Sequence, residues 1–305
     1  MKRKRAHVVS TVIALFAVCL LVPVAGSAAE PQDVTCSQVT FLFTGTARDL
    51  IVPEGGGCEV RGATITRDLI VQDDAGADVF DTSIGHDLSF GDFSGAGIFD
   101  TTIGHDIVAG EESGFDAAGV TVGHDVRLLG PAGGMHAERL TIGHDFFASK
   151  PQTVQTGQIE PDSPGGPVKV GHDFAIDGSP DLPFVFDGIC DVNVARDFSI
   201  TNRSVTLGFG IGNICARNGQ PANTVGRDMV ITGNTALDGF FGPSALIVGD
   251  NHVGRDLVFS DNTAVPGGSL IVTNNLVGRD ATCAGNNPAV FVPVPNVAER
   301  SNTCG

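Results

Sequence analysis

Eleven near-copies of one short phrase predict an all-β fold in which a single ribbon winds into stacked coils, a single-stranded parallel β-helix. Three observations carry that expectation: a fixed period, aliphatic residues at fixed places within it, and a composition that excludes helical repeats. The phrase is clearest in "SIGHDLS" (83–89), "TIGHDIV" (102–108), "TVGHDVR" (121–127) and "TIGHDFF" (141–147). Its aspartates are Asp49, Asp68, Asp87, Asp106, Asp125, Asp145, Asp173, Asp197, Asp228, Asp256 and Asp280. The first five steps are 19, 19, 19, 19 and 20 residues, and the later ones 28, 24, 31, 28 and 24. Periods of this size belong to solenoids. Helical solenoids are excluded, because glycine supplies 41 of 305 residues and no segment repeats apolar residues at i, i+3, i+4 and i+7.

Each unit justifies its strand in turn. Three residues before the aspartate stands an aliphatic side chain (Ile65, Ile84, Ile103, Val122, Ile142, Val170), and one after it another (Leu50, Leu69, Leu88, Ile107, Val126, Phe146). Three after it come Val52, Val71, Phe90, Leu128 and Ile176. Apolar, any, apolar is a short strand with one buried face, and stacking such strands fills a cylinder with rows of like residues. An unbroken strand would bury His86 between Ile84 and Leu88, at several kcal/mol for each unpaired group. A kink at the glycine avoids this, with glycine accepting positive φ. The expected corner ladder is therefore His86 and Asp87, His105 and Asp106, His124 and Asp125, His144 and Asp145, His172 and Asp173, the basic residue outward and the aspartate capping backbone N–H groups.

From Asp197 onward the wording becomes "VARDFSITN", "VGRDMVITGN", "VGRDLVFSDN" and "VGRDATCAGNN". Arginine replaces histidine, and asparagines recur at Asn234, Asn262 and Asn286 and at Asn223, Asn251 and Asn275. Asparagines stacked at a solenoid bend bond amide to amide. On these residues the chain resembles right-handed parallel β-helix proteins with asparagine ladders. It is most similar to a group of exported bacterial proteins without assigned activity, whose final coil reads much as "NNLVGRDATCAGNNP" does here, followed by a last cysteine. The resemblance covers residues 190–305. It implies the fold and carries over no catalytic residue, and the 19-residue coils before it depart from the pattern; the eleven markers themselves give about 10–11 coils.

The expected organisation is a signal peptide over 1–29, an N-terminal cap and first coil over 30–60, a short-coil β-helix over 61–175 with a loop insertion at 149–167, and wide coils with a C-terminal cap over 176–305. Lys2 to Arg5, an apolar run from Val8 to Val24 and "AGSAA" have the three-part layout of an export signal. Its removal takes four of 18 basic residues and none of 35 acidic ones, leaving 14 against 35 and a formal charge of −21. Such a field repels nucleic acid and anionic lipid, so neither is an expected partner. Six cysteines then remain, and an even count in an exported chain reads as disulfides. Six cysteines allow 15 connectivities. Spacings of 22, 25 and 21 residues, each close to one coil, make Cys36–Cys58, Cys190–Cys215 and Cys283–Cys304 the economical set.

No catalytic residue is expected. Retaining glycosidases need carboxylates about 5 to 5.5 Å apart, but any stacked aspartate column supplies nearly that distance, so the spacing is no sign of catalysis. There is no His-Glu-x-x-His, no phosphate loop, and no Trp or Tyr to stack on a sugar. No metal is expected at the corner, because arginine fills the same place in later coils. Acidic turns in "QDDAGAD", "GDFSGAG" and "GEESGFD" offer oxygens to Ca²⁺, but the glycine and aspartate nonapeptide of calcium-binding rolls is missing, so no cofactor is expected. Disulfides and prolines at the two ends block the open strand edges and imply a monomer, unlike bactofilins, whose small coils join end to end.

The expected function is an exported, non-catalytic structural or adhesive module, secreted or associated with the cell wall, that meets an extracellular polymer through its acidic faces and loops. The alternative is a carbohydrate-active enzyme or lectin with a surface site near Arg196, Arg227, Arg255 and Arg279.

Overall fold

The computed structural model describes residues 30–36, 41–131, 133–157, 165–179, 186–206, 208–212, 223–239 and 242–304. Expectations for the leader (1–29) and for Cys215 lie outside these residues. The described chain is an all-β solenoid of parallel strands in about 12 turns, a little more than the 10–11 coils expected. No described helix is long and apolar enough to cross a membrane.

One 19-residue coil shows the plan. Leu69–Val71 forms face A, Gly76–Phe80 face B and Ser83–Ile84 face C, before Gly85, His86 and Asp87 turn the chain back into face A at Leu88–Phe90. Among the described residues face A holds 13 strands, face B 11 and face C 12. Pairing between coils is parallel and in register, Leu69 on Leu88 and Ile84 on Ile103. Leu69, Val71, Ala77, Val79 and Ile84 point inward and are buried. The next coil puts like residues directly above them, so the core is a set of columns rather than a single cluster. In one column Phe146, Phe174 and Phe198 stack with ring centroids 4.5 and 4.9 Å apart. Each fully buried side chain of this kind is worth about 1.5–3 kcal/mol.

The corner glycines are required for a reason other than the one expected. None of Gly85, Gly104, Gly123, Gly143, Gly171, Gly226, Gly254 and Gly278 has positive φ. Instead the backbone of the preceding coil lies against them. A Cβ on Gly104 would stand 2.1 Å from the Gly85 carbonyl oxygen, and one on Gly123 2.1 Å from that of Gly104. One set of left-handed residues sits at the next corner, between faces B and C: Gly62, Asp81, Asp100, Gly119, Arg139, Gly157, Asp191, Gly212, Asp250 and Asn274; others, such as Gly55, Asp74, Phe93 and Glu112, follow face A. Their φ values run from 46° to 82°. Glycine, asparagine and aspartate are the residues that tolerate this region, and at this corner Arg139 alone departs from them.

The expected 149–167 loop contains Thr153–Thr156, a regular face B strand paired with Gly134–Ala137. The extra residues of that coil therefore enter after it. In the wide coils a fourth, three-stranded sheet, Ser204–Val205, Thr235–Ala236 and Thr263–Ala264, lengthens the path from face A to face B. Cys36 is bonded to Cys58 with Cα atoms 6.0 Å apart, and Cys283 to Cys304 with 4.9 Å. Beyond the last face B strand, Ser269–Thr273, the segment carrying Pro288, Pro293 and Pro295 is laid over the edge. Val272 N–H donates to the Phe291 carbonyl at 3.3 Å, and Asn274 N–H to that of Val294 at 3.1 Å.

Gly123→Ala has to push two coils apart and will lower stability by about 1–3 kcal/mol, as at other overpacked sites, and the denaturation midpoint with it. Gly55→Ala, with nothing within 4 Å of the added methyl, isolates the cost of φ alone. Chemical denaturation of both separates close approach from backbone strain.

Candidate functional site

The corner between faces C and A carries the polar column. Each aspartate Oδ1 accepts the backbone N–H of the aspartate one coil on. Asp68 accepts from Asp87 at 3.1 Å, Asp87 from Asp106 at 3.0 Å, Asp106 from Asp125 at 2.9 Å and Asp125 from Asp145 at 3.0 Å. The row continues through Asp145, Asp173, Asp197, Asp228 and Asp256 to the N–H of Asp280 at 3.3 Å. The aspartate thus ties coil to coil instead of capping its own bend.

The histidines stand outward on this row. His86, His105 and His124 are parallel within 3°, with centroids 4.7 and 4.9 Å apart. His144 follows at 4.8 Å and 7°, while His172 tilts 51° toward His144 at 3.9 Å. Nδ1 of His86 lies 3.1 Å from Asp68 Oδ1 and 3.1 Å from Asp87 Oδ2. Nδ1 of His105 lies 3.0 Å from Asp87, that of His124 3.1 Å from Asp106, and that of His144 3.2 Å from Asp125. Arginine makes the equivalent contact elsewhere. Arg67 Nε donates to Asp49 at 2.7 Å, and Arg196, Arg227, Arg255 and Arg279 approach the preceding aspartate at 3.5–3.6 Å. These four arginines are therefore corner residues, on the same column as the histidines.

Electrostatics follow from these contacts. The Asp49 carboxylate holds the Arg67 guanidinium above its ordinary value, and Arg48 holds exposed Asp33 below the carboxylate range. Burial pushes Asp125 up, but the Asp145 N–H, the Arg127 guanidinium and neighbouring His124 outweigh it and leave it low. Asp191, buried at a left-handed corner, is raised by loss of solvent alone.

Two features escaped sequence reasoning. Arg203 and Asp187 are both fully buried and paired, Nε to Oδ2 at 2.6 Å and Nη2 to Oδ1 at 2.9 Å. Arg203 also donates to the carbonyls of Pro151, Gly178 and Gln152. The signal was present, because Arg203 occupies the place of Asn234, Asn262 and Asn286, and Asp187 aligns with inward Val154 and Phe209. Those asparagines form one buried amide row, Asn234 Nδ2 to Asn262 Oδ1 at 2.9 Å and Asn262 to Asn286 at 3.2 Å. The other runs Asn223, Asn251 and Asn275 at 3.0 and 2.9 Å, and ends on Asn296 at 2.8 Å.

The second feature is an open groove of ≈ 850 Å³ along the outside of face B in the short coils. Its floor is the glycine row Gly57, Gly76, Gly95, Gly114 and Gly134, where absent side chains expose backbone. Glu59, Asp78, Asp116, His136 and Gln155 stand along it, and Phe99 at its rim stacks on Phe80 with centroids 5.1 Å apart. The groove lies on a different side of the coil from the corner arginines.

The fold and these columns define the chain as a parallel β-solenoid with disulfide-tied ends and a polar corner ladder. Comparison with protein-family profiles, with curated proteins and with solved structures gives no match.

Two pH-dependent effects are expected. Asp191 is raised, so its contribution favours the fold below the unfolded value of 3.8 and is lost as pH rises through the folded one. Asp191→Asn, which also suits positive φ, will raise the thermal midpoint at neutral pH and leave it unchanged in acid. Asp125 is lowered, so its stabilisation is present above 3.8 and lost as pH falls through the folded value. Separately, Arg203→Met will cost about 3–5 kcal/mol by stranding Asp187, and Asp187→Leu added to it will restore only a small part, because the carbonyls of Pro151, Gln152 and Gly178 and the Val154 N–H lose their partners. Denaturation of the single and double variants measures this coupling.

Proposed function

We propose that the protein is an exported, non-catalytic structural or adhesive module that acts at or outside the cell surface and meets an extracellular polymer through its acidic outer faces. The observation that carries this reading is the use made of the polar column. Ten aspartates, from Asp49 to Asp256 along the corner, each accept the N–H of the next coil, so the repeated carboxylates are employed in holding the stack together. A reactive centre needs a group set apart from its surroundings, and the corner repeats one arrangement. The disulfides among the described residues, Cys36–Cys58 and Cys283–Cys304, fit an oxidising compartment. A monomer follows from the tied ends and the proline-bearing segment over the last strand.

A second reading, a lectin or carbohydrate-active enzyme, is favoured by the face B groove. Asp78 and Asp116 are two rungs apart across Gly97, roughly 9.6 Å at the usual strand spacing, with Phe99 beside them. That separation lies near the upper limit for inverting hydrolysis. Asp116 is 70% exposed at its side chain, however, which suits contact with a ligand better than proton transfer tuned by burial.

Binding to polysaccharide and cell-wall preparations, assayed together with reducing-end release, separates the two. The first reading expects adhesion without turnover, at most weakened in Asp78→Asn/Asp116→Asn. Turnover that this variant abolishes would replace it with the second. Sedimentation velocity is expected to show a monomer, and long polymers would overturn that part.

A further inference from the structure

We infer that the histidine column is a binding site for a late first-row divalent cation, zinc foremost, held by the Nε2 atoms of imidazoles in adjacent coils. The inference goes beyond the adhesive reading and does not depend on it. A carboxylate accepts hydrogen bonds and donates none, so each Nδ1 facing an aspartate oxygen carries the proton. In His86, His105, His124 and His144 that contact is 3.0–3.2 Å. The neutral ring then has its lone pair on Nε2, on the side away from the aspartates. Carboxylate on one nitrogen and metal on the other is the arrangement by which proteins fix a histidine ligand's tautomer and raise its basicity.

Spacing supplies the second requirement. Parallel rings with centroids 4.7–4.9 Å apart hold their Nε2 atoms in a row. Two nitrogens on a tetrahedral zinc at 2.0–2.1 Å are about 3.4 Å apart, so each ring has to tip by roughly 0.7 Å while Nδ1–H stays on its carboxylate. His144 and His172 have already converged to 3.9 Å. Between the rings of a pair such as His105 and His124 the Asp106 carboxylate lies 3.5 and 3.1 Å from the two Nδ1 atoms, where it orients both imidazoles rather than ligating the ion. The rings are 38–53% exposed from His86 to His144, so an ion reaches them from solvent and water completes its coordination. The strongly acidic chain concentrates cations around itself. Arginine at the later corners argues only that the position is structural there. A bridging site needs histidines in consecutive coils, and these five are consecutive.

Equilibrium dialysis of the purified protein against zinc chloride at neutral pH and 0.15 M salt tests this. Five rings in line contain two separate pairs, so about two zinc ions per chain are expected, with calcium at the same concentration failing to displace them. The double variant His105→Arg/His144→Arg breaks every adjacent pair and puts at those corners the residue found at Arg67 and Arg196. It is expected to weaken zinc binding at least tenfold while its metal-free melting curve stays close to that of the parent. His252→Ala, off the column, is expected to bind as the parent does. In ¹⁵N spectra zinc is expected to shift Nε2 and leave Nδ1 protonated. Absence of zinc binding to the parent, undiminished binding by the double variant, displacement by calcium, or metal on Nδ1 would each overturn the inference.

Discussion

The constraint on which this molecule depends is that each strand and corner residue sits directly on its counterpart in the next coil, about 4.8 Å away. In a globular core a side chain meets unlike neighbours and shape can be traded between them. Here a residue type has to be compatible with itself. Leucine, isoleucine and phenylalanine satisfy that condition by stacking, and asparagine by passing each amide N–H to the next carbonyl oxygen. Aspartate does not satisfy it unaided, since a column of carboxylates at this spacing repels itself. The structure meets the problem by giving each carboxylate from Asp49 to Asp256 the N–H of the next aspartate, and all of these but Asp145 an arginine or imidazole from the next coil; Asp145 pairs with His144 of its own coil. The corner ladder is thus an electrostatic necessity of the stacking before it is a candidate site.

The same constraint explains which features were legible in the sequence. A residue that must match its counterpart leaves a period, so the stacked coils, the inward columns beside the corner and the outward histidines follow from aligning eleven copies of one phrase, whereas face B does not. What alignment does not reveal is the reason for an invariant residue. The corner glycines repeat whether they serve φ or close approach, and only the 2.1 Å separation from the preceding carbonyl decides between them. The left-handed corner was missed because glycine, aspartate and asparagine alternate there, so identity hides a conserved dihedral angle. The face B groove was missed for a related reason: its floor consists of glycines, and a missing side chain gives no hydrophobic signal.

Self-matching columns also need ends, and the ends are where the repeat is broken. At the head of the first amide row Asn223 accepts Val192 N–H at 2.9 Å, and at its foot Asn296 donates to the Val272 carbonyl at 3.3 Å. The histidine column begins after Arg67 and stops before Arg196, so an arginine with its own carboxylate closes each end. Sequence reasoning that seeks the repeat passes over these positions, and Asn296 was passed over in this way.

Arg203 is the strongest case of such an ending. It lies at the head of the second amide row, where its backbone N–H donates to Asn234 Oδ1 at 2.9 Å. One coil earlier the row has no asparagine to continue it. Facing coils there leave the carbonyls of Pro151, Gln152 and Gly178 turned toward the same space, and a neutral amide has too few donors for three of them. A guanidinium has five donors in a plane, enough for the carbonyls and for a carboxylate as well. Its charge then requires a buried partner, which Asp187 supplies from face B while also accepting Val154 N–H at 2.9 Å. Burying this pair is costly in principle, and hydrophobic replacements of similar volume are often no less stable. At this place the replacement would orphan three carbonyls and one N–H. The ion pair is therefore kept by the backbone it satisfies, at the seam where short coils give way to wide ones.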